Sequence, residues 1–375
     1  MKKQTSFILL ALAFSTLITV LYSCKKDKDD PDEVEFDRKA MLANMGNQVI
    51  VPAYADWLDA TNTLDSLVID FTGAPDSSRL IALRQAFKDV YVSWQYVSPF
   101  EFGPAEQVLL RTNINTFPTD TTQISANISA GTYDLSATAN LDAKGFPALD
   151  FLLFGTGKTV QEMISLYTTD PQAANRITYL KDLSMEIHTL ASQVYDQWTG
   201  SGNYLNTFTS NDGTSVGSST GLLVNQLNYD FEILKNYEIG IPSGKMSLGT
   251  PLPEKVQGYY SGFSMDLAQA HLSAFESIYL GKGNAGTNGL GLDDYLTLLK
   301  ANYNGSMLSD AIQAQINKAR TALAAIPDPL SDAVVNQSAT VDAAYTELQK
   351  LLVLFKTDMP SALGILITYQ DNDGD

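Results

Sequence analysis

The chain has 375 residues, 45% of them hydrophobic, with a formal net charge of −18, one cysteine and two histidines. A surface this acidic opposes nucleic acid and anionic lipid headgroups and favours cations and basic partners. A lone cysteine removes any disulfide framework, two histidines argue against a histidine-rich metal cage, and the length suffices for two ordinary domains with cores of their own.

The chain opens on Met1-Lys2-Lys3 and an apolar run from Phe7 to Leu21, short for a membrane span and laid out like a secretory signal. The run ends in Leu21-Tyr22-Ser23-Cys24, which resembles a bacterial lipobox. Residues 1–23 are therefore expected to be a signal peptide and Cys24 a lipid attachment site. The charged run Lys25 to Glu33 cannot bury apolar surface, so 24–36 is expected to be a solvated acidic tether.

Asp37 to Phe71 reads as one long helix, because Ile50, Tyr54, Trp57, Thr61, Leu64, Val68 and Phe71 step by threes and fours. Pro52 should kink it by deleting a backbone hydrogen bond. A second helix carries Leu80, Leu83, Phe87, Val90, Trp94 and Val97 on one face and stops at Ser98-Pro99. Phe100 to Lys144 is punctuated by glycine and proline and reads as a long connection with short helical turns, one of them around Ile124 to Ser129. Helical spacing resumes from Ile177 to Trp198. The glycine-rich stretches Thr199 to Gly202 and Asn211 to Gly213 mark the best boundary between an N-terminal bundle, 37–205, and a C-terminal one, 206–375. Beyond it, Val224 to Leu234, Val256 to Ile278, Asp294 to Leu299, Met307 to Leu323 and Ser331 to Phe355 all read as helix. No alternating pattern is long enough to build a sheet, so the expected fold class is all-α, two consecutive helical bundles.

The stretch from Gly145 to Gly155 stands apart. Phe151 to Phe154 is apolar on every side, as befits a helix at the centre of a fold. Pro147 suits the first turn and Gly155 the end of such a helix. Asp150 is then an acid planted in a buried helix, either as a metal or polar-ligand group or satisfied by backbone N–H groups, a lysine or a tyrosine. Glu101 and Glu106 flank the Phe102-Gly103-Pro104 turn and could face it. His188 and His271 lack partners at ligand spacing and are expected at surface or partly buried packing positions. The Asp371 to Asp375 tail has its glycine too early for a calcium loop. No phosphate loop and no nucleophile–histidine motif is present.

The Gly145–Gly155 segment resembles the signature of the imelysin family (peptidase family M75), Gly-x-His-x-x-Glu followed by an apolar run and a glycine. The motif's glycine falls on Gly145, its histidine on Pro147 and its glutamate on Asp150, so the histidine is absent and the carboxylate is one methylene shorter. Val49 to Tyr54, Phe102-Gly103-Pro104, Tyr259 to Gly281 and Leu363 to Asp375 resemble further stretches of the family in the same order. The resemblance implies a pseudo-symmetric pair of bundles with the motif helix near its centre. It implies an envelope protein of iron or related metal acquisition, binding or delivering a divalent or ferric ion through Asp150; the place of Glu101 beside the Phe102-Gly103-Pro104 turn makes it a further candidate ligand. Membrane attachment through Cys24, a metal-uptake partner protein and no nucleic acid complete that expectation. The alternatives are an M75-type metallopeptidase and a partner-binding scaffold without a metal site.

Overall fold

Helical periodicity governs the computed structural model, which describes residues 35–283 and 286–369. The signal, Cys24, most of the tether and the Asp371 to Asp375 tail lie outside the described residues. The fold is all-α, with one hairpin of two residues a side among the described residues, β1 (Asn302–Tyr303) and β2 (Ser306–Met307). From Asp37 on, the chain is one compact unit.

In chain order the helices are α1 (Arg38–Asn44), α2 (Val51–Gly73), α3 (Ser77–Gln95), α4 (Pro104–Gln107), α5 (Leu110–Ile114), α6 (Thr121–Ala130), α7 (Gly145–Phe154), α8 (Val160–Thr168) and α9 (Ala173–Thr199). They continue with α10 (Tyr204–Ser210), α11 (Ser219–Glu232), α12 (Ser264–Tyr279), α13 (Leu292–Leu298), α14 (Leu308–Ala324), α15 (Leu330–Asn336), α16 (Ser338–Val353) and α17 (Met359–Leu363). Helix α2 packs on both α3 and α9, α14 packs on both α12 and α16, and α12 also packs on α3. The apolar faces expected on α2 and α3 are buried at every named position, from Ile50 to Phe71 and from Leu80 to Val97.

Among the described residues, three segments wind as π-helix: Met45–Ile50, Ile233–Gly240 and Leu354–Asp358. Each ends two residues before a proline: Pro52, Pro242 and Pro360. A proline ring clashes with the carbonyl four residues back and donates no hydrogen bond. A wider turn at that point relieves the clash and lets the helix continue. The kink expected at Pro52 thus takes the form of a π turn just before it.

One expected helix is shortened. Val256 to Phe263 does not extend α12 backwards but forms a turn, because Gly258 and Gly262 adopt positive φ of 66° and 65°. The α12 N-terminus is capped from outside, where the Met265 N–H donates to both carboxylate oxygens of Asp328 at 3.0 and 3.2 Å. The turn leaves backbone N–H groups free of helical partners, and this has consequences at the motif helix.

Helix α7 packs against α3, α5 and α9. Its first residue, Gly145, has φ +69°, and an added Cβ would stand 2.2 Å from the Ile114 carbonyl oxygen. Gly155 ends it with φ +65°. The motif glycine is therefore required by close backbone approach as well as by conformation. Gly145→Ala is expected to cost about 1–3 kcal/mol, read as a lowered denaturation midpoint with an unchanged slope.

Candidate functional site

Between Gly145 and Leu153 helix α7 is buried at every residue except Phe151. Asp150 is 1% exposed and lies against the 257–262 turn. The Tyr260 N–H donates to its Oδ2 at 2.8 Å and the Ser261 N–H to its Oδ1 at 3.0 Å. Burial pushes its pKa up to about 6, with the two backbone donors and the Lys88 charge pulling the other way. The adjoining cavity, between Phe117, Pro147, Asp150 and Tyr260, has a volume of about 20 Å³, room for about one water.

A metal ion of the family type does not fit these residues. Both Asp150 oxygens already accept backbone hydrogen bonds, and Pro147 has no side-chain donor atom where the motif calls for imidazole. Among the described residues no three histidine, cysteine, aspartate or glutamate side chains group as metal ligands. Glu101 is engaged elsewhere: both of its oxygens accept from the Arg111 backbone N–H at 3.2 Å, and burial raises its pKa. Asp150 and Glu101 share no partner. Pro147→His combined with Asp150→Glu is expected to raise affinity for zinc or iron, since imidazole adds a ligand those metals favour. Equilibrium dialysis of parent and double variant measures the change.

The larger assembly of charge lies on residues that spacing did not single out. His271, on α12, is 1% exposed, not at a surface or partly buried position as expected. Its Nδ1 lies 2.9 Å from Glu238 Oε1 and its Nε2 lies 2.6 Å from Asp230 Oδ2. Ser98, just after α3, donates to the same Asp230 oxygen at 3.0 Å. Arg111, on α5, donates through Nη2 to Asp230 Oδ1 and to the Ser98 carbonyl, each at 2.5 Å. Burial alone would push the His271 pKa down, but the charges of Asp230 and Glu238 outweigh it and raise it to about 10. Burial likewise pushes Asp230 up, and His271 and Arg111 overcome it and hold it below the usual carboxylate range.

His271 is therefore an imidazolium with both N–H groups donated to carboxylates. It has no lone pair to take a proton from Ser98, so the cluster is not a nucleophile–base pair. Two cations and two carboxylates tie α5, α11, α12 and the π segment into one polar centre. His188, by contrast, is half-buried, with Nδ1 3.2 Å from the Thr61 hydroxyl, in keeping with a packing role.

Asp230 and Glu238 are eight residues apart, a separation that a straight α-helix would turn by about 80°. The π segment at Ile233–Gly240 inserts an extra residue into the turn and sets the following side chains back by about one position, roughly 100°. Both carboxylates then face the same ring. The one available sequence signal was Pro242 ending a helical pattern, which marks a helix irregularity but not its register.

Three polar side chains meet between the segments that carry the two centres. The Tyr91 hydroxyl donates to Asn115 Oδ1 at 2.7 Å, and Gln257 Nε2 approaches the same oxygen at 3.5 Å. Gln257 lies in the segment whose turn binds Asp150, and Asn115 follows α5, which carries Arg111.

The family model for imelysin, the M75 peptidases, matches residues 50–355. Among solved structures, a protein of Parabacteroides distasonis ATCC 8503 described as an iron-regulated protein A precursor superposes with a TM-score of 0.72. It has 20% sequence identity, over 90% of this chain and 97% of that one. An imelysin-like protein from Psychrobacter arcticus 273-4 superposes with a TM-score of 0.69 at 20% identity, over 88% and 97%. At that identity the likeness establishes the fold. No curated protein matches the sequence.

Proposed function

This chain belongs to the imelysin family, and from that premise we propose that it is a non-enzymatic, lipid-anchored envelope component of iron or related metal acquisition, with its binding and delivery role not placed on a family-type metal site at Asp150. One observation carries the non-enzymatic part: Asp150 has both oxygens on backbone N–H groups, and position 147 is proline. A metallopeptidase needs a held metal with an open position and an activated water. Neither residue can contribute to that. The iron part rests on the description of the Parabacteroides protein as iron-regulated, and export on its description as a precursor. Cys24 supplies the lipid anchor in this reading.

Deletion of the gene should lower radioactive iron uptake under iron limitation, with restoration by the parent and weaker restoration by Cys24→Ser, which is released from the membrane fraction. The purified protein should cleave neither casein nor peptides with added zinc or iron. Metal-dependent cleavage would establish the peptidase instead. Unchanged iron uptake in the deletion strain would leave a partner-binding scaffold as the reading.

A further inference from the structure

A second cavity, of about 210 Å³, opens beside the ion network and is lined by Arg111, Asn115, Phe117, Tyr229 and Tyr237, with the exposed Thr112 at its rim. No carboxylate lines it, in a chain with 42 acidic and 24 basic residues. Its one charged lining residue is a cation.

The donors facing this space are arranged for an anion. Arg111 spends only Nη2 on protein partners, and among the described residues its Nε and Nη1 donate to nothing. Its side chain is 15% exposed, so those N–H groups remain open to an incoming acceptor. Asp230 does not fully neutralise it, because the other oxygen of that carboxylate is bonded to protonated His271. Asn115 has its carbonyl oxygen taken by Tyr91 and Gln257, which leaves its NH₂ as the group it can offer. The walls are aromatic, with the Tyr229 ring centre 5.6 Å from the guanidinium carbon.

We propose that this cavity binds a small planar organic carboxylate, an aromatic or heteroaromatic acid, with its carboxylate on Arg111 and Asn115 and its ring against Tyr229 and Phe117. Guanidinium presents a planar fork that matches a carboxylate, and such charge-assisted bonds are roughly twice as strong as neutral ones. A metal cation finds no anionic ligand here, and an inorganic anion leaves the aromatic walls unused. The volume falls below the range of about 300–1,000 Å³ usual for drug-sized ligands, which limits the occupant to about a single ring. This assignment rests on the cavity alone and not on the iron reading.

Calorimetric titration of the purified full-length protein with benzoate and with benzamide, its neutral counterpart, tests the site. Benzoate should saturate one site, and benzamide should bind at least about tenfold more weakly. Thr112→Trp, which fills the mouth from an exposed position, should abolish benzoate binding with an unchanged melting temperature. Arg111→Lys should weaken binding about tenfold by removing the planar fork. Should Arg111→Lys not fold, the benzamide comparison and Thr112→Trp still decide. The proposal is overturned by absence of benzoate binding at millimolar concentration, by equal affinity for the two probes, or by unaltered binding to Thr112→Trp. No metal enters the titration, so failure removes the carboxylate site and leaves the iron reading standing.

Discussion

Replacing His271 with alanine is expected to destabilise the protein by about 3–5 kcal/mol, because it strands two buried carboxylates that share its charge. Asp230 would retain Arg111 and Ser98, whereas Glu238 would lose the only hydrogen bond shown for its carboxylate among the described residues. Chemical denaturation gives the magnitude, and pH identifies the cause. The folded pKa of His271, about 10, lies above the ordinary histidine value of about 6.5. The native state therefore holds this proton where the unfolded chain has released it. The contribution is complete below about pH 6.5 and is lost as pH rises through about 10. The stability difference between parent and His271→Ala should shrink across that window. A difference that stayed constant would mean that packing, not charge, is what the ring supplies.

Asp150→Ala is expected to cost about 2–4 kcal/mol, since it leaves the buried N–H groups of Tyr260 and Ser261 without an acceptor. Asp150→Asn should cost about half as much, because its amide oxygen satisfies one donor while its NH₂ faces the other. The pH signature has the same sign as that of His271 but falls in a lower window. Burial raises the folded carboxyl to about 6, above the unfolded value of about 3.9. The native state then binds the proton more tightly than the unfolded chain, so the contribution of Asp150 declines as pH rises from about 4 to about 6 and is level above. Both variants should remove that slope. If Asp150→Ala is as stable as the parent, the 257–262 turn is held by its glycines and not by the carboxylate. Hydrogen exchange at Tyr260 and Ser261 separates the two cases, because their amides should exchange faster once the acceptor is gone.

The sequence by itself determined the helical class, the buried faces of α2 and α3 and the special status of Gly145 to Gly155. These are local properties: a period of three to four apolar residues, a proline in a first turn and a glycine at a C-terminus act through neighbours along the chain. Tertiary structure decided the chemistry. That Asp150 is satisfied by two backbone amides depended on Val256 to Phe263 forming a turn, although its apolar spacing is helical. Gly258 and Gly262 take positive φ there, and the N–H groups released from a helix are those the carboxylate accepts. The π segment before Pro242 decided the meeting of Asp230 and Glu238 on His271, because side-chain register after an inserted residue is set by packing and not by composition. Arg111 and Ser98 join them from elsewhere in the chain. A buried ion network is a statement about separations across space, and helix periodicity carries no information about which charged faces will meet.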